Sequence, residues 1–404
     1  MNDTVSSPGF AIFIFWLASF LTIYPYVIYP LVVKLLATFF PRDKEGASAK
    51  ETSTDDYCPS VTLIVSAFNE APVIQSKMEN SAAIEYCSDE FDVVVASDAS
   101  DDGTDELVKA FSEKNPRIKL VRVEERSGKT DALNKVMKSV QTDITVFSDA
   151  NAMYKPDAIQ HLVQAFTDEG VGYAVGAARY YDDEAAATDA SKNETSYWDL
   201  ELWIKQQESD FDSVVGGDGA IYAIRTPLYE QMDPADVSDF VNPIQIVAKG
   251  HRGVFVPEAE CYESAGDTFA EEYGRKRRIV NQSWRAVVKH RKLLGFKRNL
   301  RFVFMLVSHK VIRWHSLLFI ILAALANLYI VARTGSAFYI LTLLAILGSM
   351  GAAAVAHFLS KQGKTVPRLL SAPYYFYLAA VAALAGIIQN FTGERYAMWD
   401  HIRE

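Results

Sequence analysis

Residues 61–70 read VTLIVSAFNE, an apolar and largely β-branched run that ends in the polar pair Asn69 and Glu70. Runs of the same kind recur at 91–97 (FDVVVAS), 118–123 (IKLVRV) and 144–148 (ITVFS). The segments between the runs have helical patterns, at 71–86, 104–114 and 129–140. Strands and helices that alternate at this spacing predict an α/β domain with a parallel sheet and helices on both faces.

Polar side chains follow three of the predicted strands. They are Asn69 and Glu70 after the first, Asp98 and Asp102 after the second, and Asp149 and Asn151 after the fourth. Ligands of parallel sheets bind at the carboxyl ends of the strands. Each loop by itself is also typical of a helix N-cap, but three such loops at one edge predict an oxygen-lined site for a hard cation.

Residues 126–130, RSGKT, look like the second half of a phosphate-binding P-loop. The full pattern requires glycine five residues before Gly128, where this chain has Val123, so a Walker nucleotide site is excluded. Lys129 can still contact a diphosphate as a point charge. The alternative is an exposed lysine at the start of a helix.

Four long apolar segments predict membrane spans. They lie at Phe10–Phe40, His315–Ala332, Ala337–Leu359 and Leu369–Phe391, and each is long enough to cross a bilayer. A cleaved signal peptide is the alternative for the first segment, but the run is too long and no basic residue precedes it. The spans divide the chain into a first span (1–45), the α/β domain (46–260), amphipathic interface helices (261–314) and three spans with a tail (315–404). Residues 46–56 are small and polar, which indicates a linker.

The net charge of −10 conceals a basic segment at 275–301, which has 11 Lys or Arg and no Asp or Glu. By the positive-inside rule this segment, Arg42 and the basic residues at 361–368 lie on one side if the N-terminus is outside. We therefore expect an integral protein of the plasma (inner) membrane with residues 41–314 in the cytosol. The basic segment predicts contact with membrane lipids, whereas the acidic total argues against nucleic acid as a partner.

Three cysteines, Cys58, Cys87 and Cys261, are too few for a disulfide framework. We therefore expect reduced, buried thiols that face the cytosol.

The chain resembles the membrane-embedded glycosyltransferases of family 2, a group that includes cellulose, chitin, hyaluronan and poly-N-acetylglucosamine synthases. The resemblance rests on seven stretches in family order: VTLIVSAFNE, VVVASDASDDGT, SGKTDALN, VFSDAN, GGDGAIYAIR, VSDF and NQSWRA. It implies a nucleotide-diphospho-sugar transferase domain of the Rossmann-like GT-A fold, together with α-helical transmembrane segments.

The resemblance also implies a donor site for a nucleotide-sugar, with UDP the expected nucleotide and GDP the alternative. The matching donor-site positions are Asn69, Glu70, Asp98, Asp102, Lys129 and Asp149. Asp149 and Asn151 match the outer positions of the metal-binding D-x-D motif, here D-x-N. An amide oxygen can ligate Mg²⁺ or Mn²⁺, so one of these ions is the expected cofactor.

The acceptor side is implied by three further motifs. Asp239 matches the general base that ends the family's E-D motif, although Ser238 replaces the glutamate. The loop Gly217, Asp218 and Gly219 is similar to the small-residue loop beside the acceptor sugar. Gln282, Trp284 and Arg285 match the diphosphate- and acceptor-facing Q-x-x-R-W motif, in which Ala286 replaces the final tryptophan.

The expected function is inverting transfer of a sugar from a UDP-sugar to a growing β-linked polysaccharide at the cytosolic membrane face, coupled to export. A homo-oligomer or an accessory subunit would complete the export channel. Transfer of a single sugar to a lipid-linked acceptor is the main alternative, and the altered Q-x-x-R-W motif favours it. A transporter or channel with a regulatory nucleotide-binding domain is a third candidate, which the scarcity of polar residues in the spans disfavours. An inactive partner subunit is the fourth.

Overall fold

The computed structural model describes residues 8–42, 57–181, 189–264, 268–295, 299–393 and 396, with the backbone alone at 189–197 and 293–294. The predicted linker at 46–56 lies outside these ranges.

The α/β domain is built on an eight-stranded sheet with the order β3-β2-β1-β4-β7-β6-β8-β5. The strands are β1 (Val61–Ala67), β2 (Phe91–Ser97), β3 (Ile118–Arg122), β4 (Ile144–Asp149), β5 (Met153–Tyr154), β6 (Val171–Tyr180), β7 (Tyr222–Arg225) and β8 (Arg252–Glu263). All seven residues of β1 are buried, because this strand lies between β2 and β4. The four strands predicted from the sequence are confirmed, and they pair in parallel.

The second half of the sheet departs from the predicted parallel arrangement. Strand β7 is antiparallel to both β4 and β6, and β5 is antiparallel to β8. Within the described part of the chain, β6 and β8 are the one parallel pair of this half. The predicted parallel sheet covers the first four strands only, and this mixed half was not predicted, because apolar runs indicate burial but not the direction in which the chain returns.

Fourteen α-helices surround the sheet or extend from it within the described residues. They are α1 (Gly9–Ile23), α2 (Tyr29–Phe39), α3 (Ala71–Ala82), α4 (Thr104–Ser112), α5 (Lys129–Met137), α6 (Ala158–Gln164), α7 (Asp189–Phe211), α8 (Ser238–Ala248), α9 (Phe269–Leu294), α10 (Leu300–Leu306), α11 (Ile312–Trp314), α12 (Ser316–Thr334), α13 (Ala337–Lys361) and α14 (Arg368–Phe391). The helix predicted at 71–86 ends early, because Glu85 N–H donates to the Pro156 carbonyl and draws the chain away from α3.

Four helical segments are long and apolar enough to cross a membrane, in agreement with the sequence. They are Gly9–Phe39, Ser316–Thr334, Ala337–Lys361 and Arg368–Phe391. The first contains a π-helical turn, Tyr24–Ile28, between α1 and α2. Pro25 and Pro30 lack the N–H group that a regular α-helix needs, and a π-helical turn accommodates such a break.

The apolar helices pack directly on the α/β domain. Helix α9 runs along α14, where Asn281 Nδ2 donates to the Gly386 carbonyl at 3.0 Å. A side chain at Gly386 would collide with the backbone of α9, so this glycine allows the two helices to approach closely.

Helix α9 begins with a capping box between Thr268 and Glu271, which satisfies N–H groups of its first turn.

Cys58 and Cys87 form a disulfide, which contradicts the prediction of three reduced thiols. Cys58 precedes β1 and Cys87 precedes β2, and these strands are parallel neighbours. Their amino-terminal ends therefore lie side by side, with the two Cα atoms 6.0 Å apart. A count of cysteines carries no information about this proximity. Cys261 is free and buried.

Candidate active site

The loops after β1 and β2 are hydrogen-bonded to each other. Asn69 has a φ of 53°, and its Nδ2 donates to Asp101 Oδ1 at 2.8 Å while Asp101 N–H donates back to Asn69 Oδ1 at 3.0 Å. Glu70 N–H donates to Thr104 Oγ1 at 2.9 Å. The two predicted donor-site residues Asn69 and Glu70 are thus held at the sheet edge by the neighbouring loop.

Asp98 and Asp102, the two predicted donor-site aspartates of the β2 loop, hold backbone in place. Asp102 accepts hydrogen bonds from Ala71 N–H at 2.9 Å and from the Thr104 hydroxyl at 2.6 Å. The buried carboxylate of Asp98 accepts from Ser127 N–H and Gly128 N–H, each at 2.8 Å. Asp98 therefore fixes the start of α5, which carries Lys129. The roles of both aspartates toward a nucleotide stay predictions.

Lys129, Asp149 and Asp239 meet around Gly219. Lys129 Nζ forms an ion pair with Asp149 Oδ1. A methyl group built on Gly219 would lie 3.1 Å from Asp149 Oδ2, 3.4 Å from Lys129 Nζ and 3.6 Å from Asp239 Oδ2. Gly217 N–H donates to the Asp239 carbonyl at 2.5 Å. The structure therefore brings together the predicted base, the predicted lysine, the first metal-motif residue and the small-residue loop.

The carboxylates at this point share an electrostatic environment. Burial raises the pKa of Asp239, the Lys129 ammonium lowers it, and the Asp218 and Asp149 carboxylates raise it again, with a net increase. Burial, together with Asp149 and Asp218, raises the pKa of Glu263 to about 8. Lys205 balances part of this charge, because its Nζ lies 2.9 Å from Asp218 Oδ2. The centre is thus rich in negative charge.

Asp149 and Asn151 supply one carboxylate and one amide oxygen to the predicted metal site. Among residues 8–42, 57–181, 189–264, 268–295, 299–393 and 396, no three His, Cys, Asp or Glu side chains form a complete metal cluster. Hard cations of this kind are often held by one or two carboxylates, with water and substrate phosphates as the remaining ligands. The accumulated carboxylates also favour a cation. The chemistry of these two side chains therefore fits a divalent ion.

A cavity of about 570 Å³ connects this centre to the apolar helices. Lys129, Asp149, Asp239 and the loop at 216–220 line it. A wall of it is formed by residues of α14: Ala372, Tyr375, Phe376, Ala379, Ala380 and Ala383. Tyr26, from the first apolar segment, and Trp314 also line it. The cavity thus passes from a charged site to an apolar surface.

Five cations also line the cavity, from α9 and from the segment before α12: Arg275, Lys276, Arg278, Lys310 and Arg313. Glu272 forms ion pairs with the first two of them, and Glu201 forms ion pairs with Lys310 and Arg313. Since the cations outnumber these two carboxylates, this part of the wall favours an anionic group.

The three side chains of the predicted Q-x-x-R-W motif contact different parts of the structure. Gln282 lines the cavity. Arg285 Nη2 lies 2.9 Å from Asp233 Oδ1, so it joins α9 to the loop before α8. Trp284 packs edge-on against Trp314, with ring centroids 6.5 Å apart. Within the described residues, Trp284 and Arg285 do not line the cavity, and neither do Asn69, Glu70, Asp98, Asp102 or Asn151.

The sequence reasoning missed Glu263, Lys205 and Arg313 as site residues. Glu263 ends β8, a strand that the sequence reasoning did not predict, and Lys205 is on α7, far from any quoted motif. Arg313 was part of no basic cluster. A prediction of β8 from its alternating pattern would have placed Glu263 at the carboxyl edge of the sheet.

Comparisons with known proteins bear on the family and the fold. The family model "Glycosyl transferase family 2" matches residues 62–232. A β-monoglucosyldiacylglycerol synthase of Trichormus variabilis is 28% identical over 165 residues, which is 40% of this chain and 34% of that protein. A poly-β-1,6-N-acetyl-D-glucosamine synthase of Staphylococcus aureus is 27% identical over 161 residues, 39% of this chain and 38% of that protein. The chain thus spans little more than a third of the length of these curated relatives.

One solved structure resembles nearly the whole chain. It is a mannosyltransferase from Pyrobaculum calidifontis in complex with GDP-Man and Mn²⁺, which is 23% identical and has a TM-score of 0.67. The similarity covers 93% of this chain and 98% of that one. The matched family and the shared architecture confirm the fold implied by the seven stretches. Residues 62–232 therefore form a glycosyl transferase family 2 domain of the GT-A fold.

Proposed function

We propose that the chain transfers a sugar from a nucleotide-sugar to an acceptor that reaches the site from the membrane, with inversion at the anomeric carbon. The cavity that runs from Asp239 to α14 carries this proposal. It joins a carboxylate-rich end to an apolar wall from a helix long enough to cross a membrane. An acceptor with a hydroxyl at one end and a hydrocarbon portion at the other matches both ends.

Asp239 is the proposed general base. Its carboxylate takes the proton of the acceptor hydroxyl while the hydroxyl oxygen bonds to the anomeric carbon. The bond from that carbon to the diphosphate oxygen breaks on the opposite face, so an α-linked donor gives a β-linked product. Burial raises the pKa of Asp239 and makes it a stronger base, while Lys129 offsets part of this increase and favours the ionised form.

Lys129 is the proposed partner of the leaving group. Its ammonium lies beside Asp149, and a fixed cation there stabilises the charge that develops on the departing diphosphate. Asp149 and Asn151 would hold Mg²⁺ or Mn²⁺, which when bound supplies further electrostatic stabilisation of that charge. UDP is the proposed nucleotide, in keeping with the family resemblance, and GDP is the alternative.

A lipid-linked acceptor is the acceptor class that the cavity favours. Its α14 wall is composed of alanines and aromatic residues. The same cavity is lined by the cations Lys310, Arg313 and Arg278. An apolar wall next to cations matches a molecule with a hydrocarbon portion and an anionic or polar head group. One of the relatives is named as a synthase of a glucosyldiacylglycerol.

Polysaccharide synthesis is the second candidate. Trp314 lines the cavity and packs on Trp284, and aromatic faces suit sugar rings. Another relative is named as a polysaccharide synthase. In either case we propose that the α/β domain faces the cytosol at the plasma (inner) membrane, since residues 275–301 carry 11 Lys or Arg and no Asp or Glu, and basic flanks stay on that side.

The purified full chain in lipid nanodiscs tests the proposal. We expect hydrolysis or transfer of at least one UDP- or GDP-sugar, faster with Mn²⁺ or Mg²⁺ than with a chelator, and D239N should abolish turnover while the donor still binds. The control D92N changes an exposed aspartate paired with Lys119. Full turnover by D239N would refute the base assignment, and the absence of turnover with every donor would refute the proposed function.

Sizing of the product separates the two acceptor classes. With lipid extract as acceptor, one added sugar per lipid supports the lipid-linked acceptor. A ladder of long products supports polysaccharide synthesis instead.

A further inference from the structure

A lysine that the proposed chemistry does not use lies beneath the metal-binding loop. Lys77, on α3, has no solvent exposure. A buried ammonium is costly unless hydrogen bonds compensate for the lost water. The hydrogen-bond partners of Lys77 therefore indicate its role.

The hydrogen bonds of Lys77 reach both sides of the D-x-N motif. Its Nζ donates to Ser148 Oγ at 2.9 Å and to the Ala152 carbonyl. Ser148 immediately precedes Asp149, and Ala152 immediately follows Asn151. The ammonium also lies 4.2 Å from the centroid of the Tyr154 ring, within the range of a cation–π contact. One cation thus binds both ends of the segment that carries the two predicted metal ligands.

A second residue of α3 also forms hydrogen bonds with this segment. Asn80 lies three residues after Lys77, on the same face of the helix. Its Nδ2 donates to the Tyr154 carbonyl at 2.8 Å, and its Oδ1 accepts from Tyr154 N–H at 2.8 Å. Helix α3 therefore holds the chain from Ser148 to Tyr154 at three points.

Tyr154 connects this loop to the acceptor side. Its hydroxyl donates to the Ala220 carbonyl at 2.9 Å. Ala220 follows Gly219, around which Lys129, Asp149 and Asp239 meet. The metal-binding loop and the small-residue loop therefore share one anchor, which is itself packed against Lys77.

We propose that Lys77 is a positioning residue, which sets the geometry of Asp149 and Asn151 for a divalent cation without touching the cation or the substrate. This inference rests on the proposed function, because it assigns the metal to the D-x-N motif. Outer groups that orient metal ligands typically change metal affinity by about 10–100-fold when they are lost. Methionine in place of Lys77 keeps an unbranched side chain, one heavy atom shorter, and removes all three donors.

The test measures Mn²⁺ binding in the presence of UDP by electron paramagnetic resonance, with no turnover needed. We expect K77M to raise the Kd for Mn²⁺ by about tenfold or more. The matched control K119M changes an exposed lysine of β3 and should bind Mn²⁺ like the wild type. Folded K77M with an unchanged Kd would overturn the proposal, and so would a wild-type chain that turns over donor but binds no Mn²⁺.

Two further variants keep the test decisive if K77M does not fold. K77Q retains amide donors, and Y154F removes the hydroxyl that reaches Ala220. We expect both to weaken Mn²⁺ binding, K77Q by less than the tenfold expected for K77M, whereas unchanged affinity in both would overturn the proposal. Failure of the proposed function would appear differently, as a wild-type chain that binds Mn²⁺ and UDP but transfers no sugar.

Discussion

Tyr29, in the first apolar segment, donates a hydrogen bond of 2.6 Å to the buried carboxylate of Glu208 in the α/β domain. The same carboxylate accepts from Val215 N–H at 3.0 Å, just before the small-residue loop. His309 Nδ1 lies 2.7 Å from it as well. One side chain therefore connects the first apolar segment, the helices before α12 and the loop next to Asp239.

We predict that Y29F destabilises the chain by about 1–3 kcal/mol, because the buried carboxylate of Glu208 loses one of its hydrogen-bond donors. The temperature of thermal unfolding in detergent, followed by intrinsic fluorescence, measures the effect. Tyr181 is 53% exposed, so Y181F serves as the control with little expected change. Equal unfolding temperatures for Y29F and the wild type would show that the hydrogen bond adds no stability.

Lys129 should set the pH dependence of transfer. It lowers the pKa of Asp239 against the effect of burial, so its loss in K129M should raise that pKa. The acid limb of the kcat/KM profile should then move to higher pH, and kcat/KM at its maximum should fall about 100-fold as charge stabilisation is lost.

The matched control for this experiment is K135M, on the same helix, because Lys135 pairs with Asp131 at the surface. A profile of K129M that keeps the wild-type acid limb would contradict the electrostatic link between Lys129 and Asp239.

Gly219 should tolerate no side chain. A methyl group there would lie 3.1 Å from Asp149 Oδ2, closer than an ordinary van der Waals contact, and 3.4 Å from Lys129 Nζ, at the short limit of one. We expect G219A to fold but to lose about 10–100-fold in kcat, because the displaced groups leave their working positions. Added methyl groups at Gly348 or Gly351 would meet no atom within 4 Å, so G348A should keep full activity. Wild-type kcat in G219A would show that Asp149 and Lys129 move aside without loss of activity.

Glu263 should make the folded state less stable as the pH rises. Burial raises its pKa to about 8 from an unfolded value near 4.5. The folded chain therefore retains a proton that the unfolded chain releases between these values, and this contribution to stability is lost as the pH approaches 8. We predict that E263Q flattens the fall in unfolding temperature between pH 5 and pH 8, measured by differential scanning fluorimetry. A slope equal to that of the wild type would contradict the raised pKa.

The first half of the fold and the apolar helices were predictable because their signals are local. Strand β1 is recognisable from residues 61–67 alone, and each long apolar segment from its own length and composition. The pairing of Cys58 with Cys87 and the antiparallel β7 were not predictable in this way, because each depends on which distant segments become neighbours.

The motifs and their order are recognisable from the sequence alone, and they identify Lys129, Asp149 and Asp239 as candidates. The tertiary structure alone decided that these three meet at Gly219, while Arg285 pairs with Asp233 instead of lining the cavity. It also decided that Glu263 joins the centre and that Lys77 lies beneath the metal-binding loop. The physical reason is that residue type sets which chemistry is available, whereas distance, burial and neighbouring charge, which set how it is used, arise only when remote segments pack together.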